Sequence, residues 1–172
     1  MTVWFGYHMP SYSVPGASPE TRFDRIVELA QAAEAAGFSL VTVMDHLYQI
    51  QGVGPETEPM LEAYSTLAAL SQRTTKVRLA TLVTGVTYRN PALLAKMVTT
   101  LDTLSKGRAL LGLGAAWNWK APSRTASSCR TAPGAGWTNL VSAIRSESAA
   151  VAICGRQHRS SWTGSRRHSR ST

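Results

Sequence analysis

The residue types suited to acid–base work fall at one kind of place in this sequence. His8, the adjacent pair Asp45-His46, Thr84 and the pair Trp117-Asn118 each lie where a short apolar segment gives way to a polar stretch. An imidazole titrates near neutrality, which makes His46 the candidate proton shuttle. Its alternative is a hydrogen bond to loop backbone. Asp45 either orients His46, binds a ligand or caps a loop, and His8 is either a core histidine or a ligand contact. Arg89 precedes Asn90-Pro91, where a guanidinium could meet a phosphate at a helix N-terminus; a solvated loop charge is the plainer expectation. Gly112 and Gly114 flank a strand end and read as close backbone packing rather than a phosphate loop. The His, Cys and acidic positions show no zincin, zinc-finger or EF-hand spacing, so no metal is expected.

Something must hold these positions, and the sequence alternates two kinds of segment. Val3–Pro10, Ser39–Met44, Val77–Val83 and Ala109–Leu113 are short and apolar and read as strands. Pro19–Ala36 repeats apolar residues three and four apart (Phe23, Ile26, Val27, Ala30, Ala33), which is one stripe on a helix. Ser18 is its expected N-cap, Pro19 its first position, and Gly37 its left-handed exit. Pro59–Arg73 and Asn90–Ser105 read as the next helices, the second capped by Asn90 with Pro91 in its first turn and Gly107 at its exit.

Alternating strands and helices imply βαβ crossovers and a parallel sheet. A doubly wound sheet would carry a Gly-rich first turn, but Ser11–Ala17 has no GxGxxG. A (β/α)8 barrel places its functional residues at the C-terminal ends of its strands, which is where His8, Asp45, His46, Thr84, Trp117 and Asn118 fall. The expected fold is therefore α/β, the N-terminal half of a TIM barrel with about four βα units, because a whole barrel takes roughly 250 residues.

Charge divides the chain at the same place as periodicity. Residues 1–118 carry nine Lys/Arg and nine Asp/Glu; residues 119–172 carry nine Lys/Arg and one acid, Glu147. The whole net charge of +8 and both cysteines, Cys129 and Cys154, thus belong to the tail. The tail is rich in Ser, Thr and Arg, and its two mildly apolar stretches, Leu140–Ile144 and Ala149–Ile153, show no convincing period. Domain 1–118 is therefore expected to precede an irregular, disordered basic tail, 119–172. The tail arginines are scattered and no nucleic-acid module surrounds them, so no specific nucleic-acid partner is expected. Apolar runs such as Ala109–Trp117 reach only about half a membrane span, and the N-terminus lacks a secretory pattern. A cytoplasmic protein with no membrane partner is the expectation.

Seven motifs in order carry a family resemblance. They are strand one ending in His8; Ala32–Gly37 with Phe38; Met44-Asp45-His46; Val77-Arg78-Leu79 leading into Thr81–Gly85; Tyr88-Arg89-Asn90-Pro91; Leu101–Arg108; and Leu113–Asn118. Residues 1–118 thereby resemble the start of the luciferase-like flavin and deazaflavin oxidoreductases, in particular the bacterial members that use coenzyme F420. The resemblance implies a TIM barrel with its cofactor across the mouth. It implies that Asp45 and His46 line that mouth, that Thr84 and Gly85 touch the ring, and that Trp117 and Asn118 sit at the end of strand four. Hydride transfer on a small organic substrate is the implied activity, with FMN-dependent monooxygenation as its alternative.

Members of the family continue past the Trp-Asn pair with an acid-rich loop and helix, whereas this chain turns to Ser, Arg, Thr and Ala. An out-of-frame reading of a GC-rich gene gives such a text. Gly136-Trp137-Thr138-Asn139 must be encoded GGN-TGG-ACN-AAY. Read from the third base of the glycine codon, this gives a Met, Leu or Val, then Asp, then Lys, Gln, Glu or a stop. That frame is compatible with an Arg-hydrophobic-Asp helix start of the family. A truncated, weakly active or inactive product is expected, which would associate into a homo-oligomer through open sheet edges. A basic-tailed interaction protein or non-catalytic remnant is the alternative of a different class.

Overall fold

In the computed structural model, which describes residues 3–114 and the backbone of 150–153, six strands alternate with three helices. The order is β1 (Gly6–Met9), α1 (Arg22–Ala35), β2 (Leu40–Val43), α2 (Ala63–Ser71), β3 (Arg78–Thr81), β4 (Thr84–Gly85), α3 (Pro91–Ser105), β5 (Ala109–Gly114) and β6 (Ala150–Ile153). Every pairing is parallel. β2 lies between β1 and β3, and β5 lies beside β3. β4 continues past β3 against the far end of the same strand, pairing Thr84 with Leu113 and Gly85 with Gly114. β6 occupies the opposite edge of β5, with Leu110 facing Ala150. Neighbours in space therefore follow chain order with no reversal. A doubly wound sheet must reverse beside its first strand, while a barrel adds each strand on the same side.

Side-chain caps set the starts of α2 and α3. Asn90 is extended and its side chain accepts from the Ala92 amide at 2.9 Å, with Pro91 at the first position of α3, as the sequence predicts. The two other starts lie further along the chain than expected. Ser18 and Thr21 exchange hydrogen bonds across a turn, Ser18 N donating to Thr21 Oγ1 at 3.0 Å and Thr21 N to Ser18 Oγ at 3.3 Å. Such local bonds compete with helical ones, so α1 begins at Arg22. Glu62 takes the cap position of α2 by accepting from Ser65 N at 2.6 Å, which leaves Pro59–Leu61 outside that helix. At the exits, Gly37 and Gly107 adopt φ of 86° and 82°, where a side chain would be strained.

The segment Val77–Val83, read as one strand, is divided. β3 ends at Thr81, the Leu82–Val83 peptide bond is cis, and pairing resumes at Thr84. Gly112 and Gly114 make room for this break. A Cβ on Gly114 would lie 2.4 Å from Val83 Cγ2, and one on Gly112 would lie 3.0 Å from the Thr81 carbonyl. Close backbone packing is thus what the two glycines provide. The short run Ala150–Ile153, which shows no convincing period in the sequence, adds to the open side of β5 as a strand.

Alternation along the strands sorts the sheet into two faces. Met9, Val41, Val43, Leu79, Leu111 and Leu113 join the core with Ile26, Leu67, Leu70, Leu94, Val98 and Leu101 of the helices. His8, Thr42, Ala80 and Leu110 stand in register on the other face. Two polar side chains close the N-terminal end of the sheet. The Glu34 carboxylate accepts from the amides of Thr75 (2.9 Å), Lys76 and Val77 (2.8 Å). Arg108 donates to the carbonyls of Ser71 (2.8 Å), Thr74 (3.1 Å), Val77 (2.7 Å) and Ser105 (2.8 Å). In barrels this end serves stability, and the other end carries chemistry.

Candidate functional site

The C-terminal ends of the strands carry a connected polar layer. β2 runs straight into Asp45, whose side chain is only 4% exposed. Both of its oxygens are engaged: Arg89 Nη1 donates to Oδ2 at 2.6 Å, Arg89 Nη2 to Oδ1 at 2.7 Å, and the Gly85 amide to Oδ2 at 3.0 Å. Arg89 Nη2 also donates to Glu62 Oε1 at 2.6 Å, and the guanidinium lies over the Tyr64 ring at 5.1 Å. The Tyr64 hydroxyl and Thr84 Oγ1 are 2.7 Å apart, and Thr84 Oγ1 is 2.5 Å from Thr81 Oγ1. The layer thereby joins β2, α2, β3, β4 and the loop that enters α3.

One guanidinium faces two carboxylates in this layer. Burial alone would lower the Arg89 pKa, but Asp45 and Glu62 outweigh it and raise it. Burial would raise the Glu62 carboxyl, but hydrogen bonds from Ser65 and Arg89 hold it below its ordinary value. Tyr64 is pushed up to about 12 by burial, so its hydroxyl keeps its proton. Arg89 is therefore neither a solvated loop charge nor available to a phosphate. Its side chain is 12% exposed and two carboxylates neutralise it. Only a bidentate pairing across 44 residues reveals this, and no local spacing in the sequence signals it. Glu62 and Tyr64 escape a sequence reading for the same reason.

Two histidines lie at the same ends of β1 and β2. His8, in β1, has Nδ1 2.9 Å from Thr42 Oγ1 on the neighbouring strand. Burial lowers its pKa, with a hydrogen bond to Thr42 acting in the opposite direction. His46 follows Asp45 and is half-buried. Burial lowers its pKa too, and the Asp45 charge pulls partly the other way. Both imidazoles are thus weighted toward the neutral form at pH 7. Thr84 and Gly85 are placed together at the end of the sheet, as the sequence suggests. Their polar atoms point inward, however: the Thr84 hydroxyl to Tyr64 and Thr81, the Gly85 amide to Asp45, and the Gly85 carbonyl to Tyr88 N at 3.1 Å. Trp117 and Asn118 lie outside the described residues. Among the described residues no group of three His, Cys, Asp or Glu is placed to hold a metal ion, and no helix is long and apolar enough to cross a membrane.

The surroundings fit a flat ring with a polar rim. Leu82, at the break after β3, is 54% exposed, and its amide donates to the Val43 carbonyl at 2.9 Å, which sets it beside the end of β2. Leu47 and Tyr48, next to His46, are also exposed. The Thr87 hydroxyl is buried with no hydrogen-bond partner among the described residues. Exposed Leu47 and Tyr48 beside His46, with Leu82 beside the end of β2, give apolar surface next to an imidazole, which is compatible with a flavin-type ring.

A parallel sheet in barrel order, with its polar layer at the strand C-termini, defines a TIM-barrel-type scaffold. The chain belongs to the luciferase-like monooxygenase family, whose model matches residues 3–129 and so runs past Asn118. It is 41% identical over 90 residues to an F420-dependent glucose-6-phosphate dehydrogenase of Mycobacterium avium, covering 52% of this chain and 26% of that protein. It is 42% identical over 95 residues to an F420-dependent hydroxymycolic acid dehydrogenase of Mycobacterium tuberculosis, covering 54% of this chain and 25% of that protein. Among solved structures, the FMN-bound oxygenating constituent of 3,6-diketocamphane monooxygenase from Pseudomonas putida matches with a TM-score of 0.60 and 26% identity, over 86% of this chain and 38% of that one. The chain thus spans about a quarter of the length of these two curated relatives.

Proposed function

We propose that this chain supplies the first βα units of an oxidoreductase that works with a deazaflavin of the coenzyme F420 type on a small organic substrate. The observation that carries this reading is its 41% and 42% identity to two F420-dependent dehydrogenases. A bound deazaflavin supplies the hydride chemistry. His8 and the Thr84–Gly85 segment, with Trp117 and Asn118 from the residues after β5, would hold it. Because Thr84 and Gly85 direct their polar atoms inward, they offer the ring a shaped surface rather than hydrogen bonds. His46 holds the proton. A half-buried imidazole kept neutral takes a proton from a substrate hydroxyl at a ring nitrogen and returns it in the reverse direction. Asp45, engaged by Arg89 and Gly85, acts on His46 through its charge, which favours the protonated ring.

FMN is the second reading, supported by the FMN-bound monooxygenase that shares the fold at 26% identity. Parallel fluorescence titrations of the chain with coenzyme F420 and with FMN separate the two. Tighter binding of the deazaflavin is expected. A preference for FMN would move the assignment to a monooxygenase, and salt-sensitive binding to nucleic acid with neither cofactor bound would favour a basic-tailed interaction protein.

A further inference from the structure

The polar layer closes on itself. Asp45 holds Arg89, Arg89 holds Glu62, Glu62 caps α2, Tyr64 in the first turn of α2 meets Thr84, and the amide of the next residue, Gly85, returns to Asp45. Outside this ring, the segment is held by the Thr81 hydroxyl, by a turn from the Gly85 carbonyl to Tyr88 N and by its pairing with β5. β4 has two residues, follows a break in the strand and, among the described residues, pairs only with the tip of β5. We propose that Arg89 and Tyr64 are positioning residues that hold Thr84–Gly85 in place as the surface against which the cofactor ring rests, an inference that builds on the cofactor reading above. Arg89 does this through Asp45, which its planar fork grips by two parallel bonds while a third donation reaches Glu62. A lysine can supply the charge but not that geometry. Tyr64 does it directly, since its hydroxyl is Thr84's link to α2. Opening the ring at either residue frees the same two-residue segment without removing any apolar core.

Arg108 supplies the control. It is a second multidentate arginine, placed at the opposite end of the sheet among backbone carbonyls. Arg89→Lys, Tyr64→Phe and Arg108→Lys would be compared in the full chain by three measurements: amide exchange at Gly85 without cofactor, fluorescence titration with coenzyme F420 and FMN, and thermal melting. Arg89→Lys is expected to speed Gly85 exchange and weaken cofactor binding by about tenfold each, the size of a lost charged hydrogen bond. Tyr64→Phe is expected to do the same by about threefold with a nearly unchanged melting temperature. Arg108→Lys is expected to lower the melting temperature while leaving Gly85 exchange relative to the rest of the sheet, and cofactor affinity, as they were. Unchanged Gly85 exchange in both Arg89→Lys and Tyr64→Phe would overturn the positioning role. So would equal losses of affinity in Arg89→Lys and Arg108→Lys. A wild-type chain that binds neither cofactor overturns the cofactor reading, and faster Gly85 exchange in Arg89→Lys would still show the ring holding the segment.

Discussion

Single carboxylates do two different jobs at the two ends of this sheet. At the mouth, Asp45 is an anion enclosed by a guanidinium and an amide, and removing its charge leaves Arg89 with Glu62 alone. Asp45→Asn is expected to destabilise the chain by about 2–4 kcal/mol in denaturant unfolding, because a partly buried cation loses its main partner. A cost below about 0.5 kcal/mol would mean that the pairing is solvent-screened like an ordinary surface ion pair. At the other end, burial acts to raise the Glu34 carboxyl, but the amides of Lys76, Val77 and Thr75 win and hold it below its ordinary 4.5. A carboxyl depressed in the folded state adds stability above its unfolded value and loses it as pH falls through the folded one. The melting temperature should therefore drop on acidification below about pH 4.5, and Glu34→Gln should flatten that drop while costing about 1–2 kcal/mol at pH 7. A Glu34→Gln profile parallel to wild type would show that the depression contributes nothing. Neither role is legible in sequence, because Asp45 meets Arg89 and Glu34 meets Thr75 more than forty residues away. What the sequence does show is His46 beside Asp45 at a strand end, since that needs only local adjacency.

Elements were legible where local chemistry decides them. Asn90 and Pro91 begin α3, and Gly37 and Gly107 end α1 and α3, because caps and left-handed turns depend on single residues. Boundaries moved where side chains found a competing local partner, as in the Ser18–Thr21 turn, or where a long-range contact intervened, as at Leu82-Val83 against Gly112 and Gly114. The barrel order of the strands followed from periodicity and the missing Gly-rich turn, whereas β6 lies in a stretch without a convincing apolar period. Two glycine-to-alanine changes separate packing from backbone freedom. Gly114→Ala places a methyl against Val83, in the break between β3 and β4, and is expected to cost about 1–3 kcal/mol with a shift of the Thr84–Gly85 segment. Gly107→Ala meets nothing within 4 Å, but its φ of 82° is unfavourable for a side chain, and it is expected to cost about 1 kcal/mol with no change at the mouth. Chemical shifts of Val83 and Gly85 distinguish the two, and equal perturbation by both variants would contradict the packing account of Gly114.

At the scale of the molecule, the first strand is the exposed flank. Among the described residues β1 pairs only with β2, and Ser39 N donates to the Phe5 carbonyl at 2.8 Å on that same side. Sheet edges are ordinarily guarded by lysines, prolines or bulges. Residues 3–9 contain no Lys, Arg, Asp or Glu, and Val3 and Phe5 are 68% and 66% exposed. Parallel sheets also need apolar cover on both faces, which adds to the pull toward a partner. Opposing it is the +8 net charge, all of it beyond residue 118, which repels like chains over roughly 8–10 Å at physiological salt. Self-association of the 172-residue chain should therefore rise with protein concentration and strengthen as salt screens that repulsion. Light scattering at two ionic strengths measures both effects. A lysine at an edge position works against pairing without touching the core, so Phe5→Lys should shift the equilibrium back toward monomer at unchanged melting temperature. A chain that stays monomeric throughout would overturn the open-edge account, and one whose association weakens with salt would place the attraction in charge rather than in the edge of β1.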